Sequence, residues 1–186
     1  MIPIIKFLSK KRIVATIHGL DWQRAKWGGF ATKYIKFGEK MAKLIIASDI
    51  HGDAVCAARL VDIYKNSGAS RLLLLGDVLY HGPRNALPSG YAPAKGADML
   101  NEIKDDIICV RGNCDAEVDG MVLKFPINSD MVMLEADGVR MVATHGHHFN
   151  AENPPALAKG DVLLGGHTHV PCVKKFGNDN TFINPG

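Results

Sequence analysis

Three apolar runs, "KLIIASD", "RLLLLGD" and "IICVRGN", begin at Lys43, Arg71 and Ile107. None shows the alternation of a half-exposed strand. Runs this continuous belong to strands covered on both faces, as in a parallel sheet. Between the first two lies "AVCAARLVDIYKNSG". There Ala57, Leu60, Val61 and Tyr64 share one helical face, Arg59, Asp62 and Asn66 share another, and Gly68 suits the stop. "AKGADMLNEIKDD" (94–106) reads as a second helix before the third run. The order βαβαβ makes the first sheet at least partly parallel. The rhythm then changes. "MVMLEADGVRMVATHGHH" reads as two strands joined across Asp137–Gly138. "DVLLGGHTH" is a further buried strand, and "CVKKFGNDNTFINPG" a hairpin around Gly177–Asn180. The expected architecture is α/β, with helices outside two facing sheets.

Each apolar run stops in chemistry. The first ends at Asp49, His51 and Gly52, and the second at Gly76 and Asp77. The third ends at Gly112, Asn113, Cys114 and Asp115. Later strands end at His145-Gly146-His147 and Gly166-His167-Thr168-His169. Six of the eight histidines lie at these ends, His18 and His81 being the exceptions. In open α/β sheets such ends converge on one crevice. Oxygen and nitrogen donors without thiolate suit moderately hard divalent ions such as Mn²⁺, Fe²⁺ or Zn²⁺. Seven candidate ligands are too many for one tetrahedral ion. They suit two ions about 3.5–4 Å apart, with Asp77 giving one oxygen to each. The pair His167/His169 needs a turn between its members, because alternate residues of an extended strand face opposite ways. Asp53 reads as the N-cap of the first helix. Asp115 reads as a carboxylate orienting a ligand histidine.

Composition limits the rest. The 186 residues are 47% hydrophobic, enough for one domain with a real core. No apolar run approaches the roughly 18 residues of a membrane span. "MIPIIKFLSKKR" carries its charge after its apolar run and is not read as a secretory signal. Cys56, Cys109, Cys114 and Cys172 form no CxxC pair, so a reduced cytoplasmic protein is expected. Residues 1–40 hold nine Lys/Arg against Asp21 and Glu39, a net +7 that leaves −4 on residues 41–186. The basic segment mixes its charge with Trp22, Trp27, Phe30, Tyr34 and Phe37, and is not read as a nucleic-acid arm. Within it "RIVATIH" reads as a short strand and residues 22–37 as an amphipathic helix interrupted by Gly28 and Gly29.

The order DxH, GD, GN, H, GHxH resembles the calcineurin-like metallophosphoesterase superfamily. "GDVLYHGPRNALPSGYAPAK" and "VRGNCDAEVD" are similar to its small bacterial phosphodiesterases of the YfcE type. The resemblance spans residues 41–186. It implies a four-layer α/β/β/α sandwich with a dinuclear site, most often manganese, with Zn²⁺, Fe²⁺ or Ni²⁺ as alternatives. It implies that Asp49, His51, Asp77 and His169 hold one ion and Asp77, Asn113, His145 and His167 the other. The implied reaction is hydrolysis of a small phosphodiester by in-line attack of a metal-bridging hydroxide, and self-association into a homo-oligomer. Many relatives carry histidine after the GN asparagine, whereas Cys114 stands here. A thiol is a weak donor, so the expected substrates have good leaving groups. His81 and Arg84 are candidate donors from the following loop, with Arg84 able to clamp a phosphate oxygen. The catalytic candidates are Asp77, Asn113, Cys114 and Arg84.

"VATIHGLDWQRAKWGGFATKYIKFGEK" instead resembles an internal stretch of family-4-type glycosyltransferases, without a complete sugar-nucleotide site. Residues 1–40 are therefore expected to be extraneous to the domain at 41–186. The domain itself is expected to lack its last strands, since the chain stops directly after "TFIN". The rival readings are an inactive interaction scaffold of the same fold and a poorly folding fusion product.

Overall fold

The computed structural model describes residues 14–17, 43–136 and 138–186, the first group by backbone alone. The helix expected over 22–37 lies outside the described residues, as does Asp137 of the expected turn. Four parallel strands form the first sheet in the order β1 (Val14–Ile17), β2 (Leu44–Ala47), β3 (Arg71–Leu74), β4 (Ile107–Cys109). Segment 1–40 thus contributes an edge strand, in register from Val14↔Leu44 to Ile17↔Ala47.

The apolar runs are explained by cover on both faces. Ile45, Ala47, Leu72, Leu74 and Cys109 face the helices α1 (Ala54–Ser67) and α2 (Pro93–Asn101). Their alternates Ile46, Leu73, Leu75 and Val110 face the second sheet. Helix α1 is capped as its sequence requires. Asp53 accepts from the amides of Val55 and Cys56 at 2.8 and 3.1 Å, and Gly68 closes it in the left-handed region. Helix α2 ends earlier than expected. Past Asn101, whose side chain bonds Val122 O and Lys124 N, the chain tightens into a 3₁₀ turn at Lys104–Asp106. A single helical turn, α3 (Asp119–Val122), had no sequence signal.

The second sheet is mixed, in the order β5 (Met131–Ala136), β6 (Val139–Thr144), β7 (Val162–Leu164), β9 (Asn180–Asn184), β8 (Cys172–Phe176). Both expected hairpins are present, as antiparallel pairs β5/β6 and β8/β9. Ala143, Leu164 and Ile183 face the first sheet, and Val142, Leu163 and Phe182 face outward. Among the described residues this outer face is covered by loop, through Ala151 and Leu157, and by no helix. The covering stretch contains Asn153-Pro154-Pro155, which cannot continue a helix. The ends of β2, β3, β4, β6 and β7 open towards one edge of the sandwich, where their loops meet.

Candidate metal centre

Backbone geometry marks this edge before any side chain is considered. Six described non-glycine residues have positive φ, and five are candidate ligands: Asp49 (54°), His51 (51°), Asp77 (53°), His167 (67°) and His169 (55°). Such conformations cost about 1–3 kcal/mol each and persist only where the surroundings impose them. Here one loop is laced to the next, with Asp49 N to Gly76 O at 3.1 Å and His51 N to Asp77 O at 2.9 Å. Left-handed φ at both His167 and His169 supplies the turn their spacing demanded. Close approach also fixes two glycines. A Cβ on Gly112 would strike Asp77 Oδ1, and one on Gly166 would strike Ser48 Oγ and Asp49 Oδ2.

The side chains then converge as acceptors. His51 Nδ1 lies 2.7 Å from the Tyr80 carbonyl, so that nitrogen donates and Nε2 is left with a lone pair. His51 Nε2 faces His169 Nε2 at 3.1 Å, Asp49 Oδ1 at 3.5 Å and Asp77 Oδ2 at 3.7 Å. The second group repeats the pattern. His145 Nδ1 donates to Leu75 O at 2.7 Å, and its Nε2 faces Asn113 Oδ1 at 2.9 Å and Asp77 Oδ2 at 3.5 Å. The His167 ring stands 5.1 Å from that of His145. Lone pairs aimed at lone pairs in a buried place need a proton or a cation between them. Asp49 Oδ1 is buried without a hydrogen-bond partner, while Oδ2 is taken by Ser48 Oγ and the His167 amide. A neutral-to-anionic set of imidazole, carboxylate and amide oxygen fits a divalent ion. Asp77 Oδ1 accepts from Cys114 N at 2.7 Å, and Oδ2 stands between the two groups.

Electrostatics follow from this crowding. Burial pulls the imidazoles of His51 and His145 down, but Asp49 and Asp77 beside them raise both above the ordinary value. Burial raises Asp49, yet the imidazoles of His169 and His51, 3.2 and 3.5 Å from Oδ1, hold it well below the usual carboxylate range. Without metal, His51 and His145 therefore hold protons more tightly than free imidazole, whereas burial and the neighbouring His145 lower His167. A histidine raised in the folded state stabilises the fold below its unfolded value, near 6.5, and ceases to do so as pH rises through the folded value. The metal-free protein should melt highest near pH 6 and progressively lower towards pH 9. Mn²⁺ should stabilise most at the alkaline end, where no proton must be displaced. Thermal melts with chelator and with Mn²⁺ check this; a chelated melting point that climbs steadily from pH 6 to 9 would contradict it.

The remaining candidates are spread around the centre. Arg84 and Cys114 line a cavity of about 590 Å³ with Tyr80, Asn85, Asp77 and His169. Burial, then the Asp77 charge, pushes the Cys114 thiol up to about 12, so it is no thiolate nucleophile at neutral pH. His81 does not line this cavity. Its ring lies between Tyr80 and Tyr91, centroids 4.9 and 5.4 Å away. His147 and His148 border a separate cavity of about 330 Å³, and burial and neighbouring histidines lower His147 to about 4. Asp115 does not orient a ligand histidine. It is 4% exposed and accepts three backbone amides: Asp77 and Gly112 on Oδ2 at 2.8 and 2.7 Å, and Val78 on Oδ1 at 2.8 Å. Asn184, fully buried, holds Gly166 O and Thr168 Oγ1 and so fixes the GHTH turn. Sequence reasoning passed over Asn184 and Ser48, whose only signal is a polar residue set into an apolar run.

The calcineurin-like phosphoesterase superfamily domain matches residues 42–186. Phosphodiesterase YfcE of Escherichia coli strain K12 is 52% identical over 146 residues, covering 78% of this chain and 79% of that protein. YfcE of Escherichia coli O157:H7 is similar to the same extent. The solved structure of E. coli YfcE, described as a phosphoesterase, superposes with a TM-score of 0.75 at 50% identity, over 77% of this chain and 78% of that one.

Proposed function

We propose, from the premise that this chain belongs to the calcineurin-like phosphoesterase superfamily, that it hydrolyses small phosphodiesters at a two-ion centre. Its enzyme class is that of a phosphoric diester hydrolase, and its fold is the α/β metallophosphoesterase fold. The observation that carries the two-ion reading is the place of Asp77 Oδ2, 3.7 Å from His51 Nε2 and 3.5 Å from His145 Nε2. Asp49, His51, Asp77 and His169 would hold one ion, and Asp77, Asn113, His145 and His167 the other. Held by these residues, divalent ions, Mn²⁺ in our reading, would supply a more acidic water and positive charge for the phosphoryl oxygens. The protein's share is position. The strained loops aim the acceptors, and the neutral Asn113 spares the site a further negative charge that would repel the substrate. Arg84, on the wall of the cavity that Asp77 and His169 also line, would meet a non-bridging oxygen or the far ester group. With the Cys114 thiol beside the centre in place of histidine, the substrates are esters whose leaving group departs without a proton.

The catalytic unit in this reading is residues 41–186, with β1 extending its sheet. No helix among the described residues is long and apolar enough to cross a membrane. The decisive assay is hydrolysis of bis(4-nitrophenyl) phosphate by the full chain, first with chelator and then with Mn²⁺, Zn²⁺, Fe²⁺ or Ni²⁺. Release of 4-nitrophenolate should be absent with chelator and strongest with Mn²⁺. No release with any of the four ions would reject the reading.

A further inference from the structure

We infer that Cys114 is a positioning residue: its sulfur fixes the side-chain amide of Asn113 so that Oδ1, and never Nδ2, faces the second ion. The inference rests on the two-ion reading above. Asn113 is exposed at a loop, and nothing in its own backbone decides which way its amide turns. Two contacts decide it. Nδ2 donates to Cys114 Sγ at 3.2 Å, and Oδ1 faces His145 Nε2 at 2.9 Å. The sulfur contact is the one that engages Nδ2 itself. Without it Nδ2 loses its acceptor, and the exposed amide can turn to present a donor where a cation needs an acceptor.

The loop carrying Gly82 passes close to the sulfur, where an added Cβ would lie 3.0 Å from Sγ. The Cys114 amide meanwhile holds Asp77 Oδ1 at 2.7 Å. One residue thus aims two candidate ligands, the carboxylate with its backbone and the amide with its side chain. The rival role is direct ligation, because the thiol lies with His51 and Asp77 in a group whose donor atoms fall within 4.8 Å of one another.

The test is Mn²⁺ binding to the full chain, by calorimetry and by the electron paramagnetic resonance of free Mn²⁺, for wild type, Cys114→Ala and Cys114→Ser. Wild type should take two equivalents. Cys114→Ala should weaken one equivalent about fivefold, the worth of one hydrogen bond, and leave the other unchanged. Cys114→Ser, whose hydroxyl oxygen also accepts from Nδ2, should restore it. Metal-free melts confirm that both variants fold. Equal binding by wild type and Cys114→Ala, or a serine variant no better than alanine, overturns the inference and leaves the two-ion centre standing. A thiolate-to-Co²⁺ charge-transfer band in the Co²⁺-loaded wild type overturns it in favour of ligation. Fewer than two equivalents in wild type overturns both.

Discussion

Asp77→Asn should lower Mn²⁺-dependent hydrolysis of bis(4-nitrophenyl) phosphate by about a thousandfold or more, the scale of losing a preorganised charge at a reacting centre. The substitution is nearly isosteric, so its effect isolates chemistry from packing. In the native site Oδ1 is committed to the Cys114 amide at 2.7 Å, and Oδ2 faces both histidines. Asparagine must keep its one oxygen on that amide N–H, because the alternative sets two donors against each other. Its NH₂ group then points to where both cations belong. A bridging negative charge becomes a pair of donors, and neither ion is held as before. The fold should hardly notice. Asp77 has a 3% exposed side chain beside Asp49, and removing its charge relieves that repulsion while forfeiting attraction to His145. A metal-free melting point close to wild type, together with lost Mn²⁺ stabilisation, is the expected pair. Equal rates in the two proteins would refute the shared carboxylate.

The sequence shows the strands and what stands at their ends, because both follow from local pattern. Leu72, Leu73, Leu74 and Leu75 can only be a strand with two covered faces, and helix α1 announces its cap at Asp53 and its stop at Gly68. The recurrence of histidine and aspartate after each strand announces the candidate centre. What stays hidden depends on contacts between distant loops. Left-handed φ at Asp49, His51 and Asp77 is imposed by lacing between the first two strand ends, and none of these residue types demands it. The orientation of the Asp77 carboxylate is fixed by an amide 37 positions away. Asp115 looks like a partner for histidine because its neighbours are, yet its oxygens are consumed by backbone. Likewise the loop over the outer face of the second sheet is set by what remains to cover Val142, Leu163 and Phe182, which no periodicity states.

That use of Asp115 has the second large consequence. Asp115→Ala should lower the metal-free melting temperature by about 10 °C and abolish most activity. Three amides, on Asp77, Val78 and Gly112, lose their acceptor at a 4% exposed position. Each unsatisfied buried N–H costs about 1–3 kcal/mol. The losses do not simply add, because water can enter the vacated space. Burial also raises the Asp115 carboxyl, so alanine removes an unfavourable buried charge and offsets part of the loss. A net cost of about 3 kcal/mol remains, and at about 2–4 °C per kcal/mol in a chain of this size it gives the stated shift. Activity falls for a separate reason. The carboxylate ties the loop carrying Asp77 to the loop carrying Asn113, and ligands must be held within about 0.5 Å to work. Asp115→Asn sharpens the test. Its one oxygen can serve the Asp77 and Gly112 amides together, but its NH₂ then confronts Val78 N–H, so the variant should fall between alanine and wild type. An ordinary surface carboxylate would show neither the melting loss nor the ordering of the two variants. Calorimetric melts of the three chelated proteins settle the point: a shift under 2 °C for alanine would mean that the two loops hold themselves in place without this carboxylate.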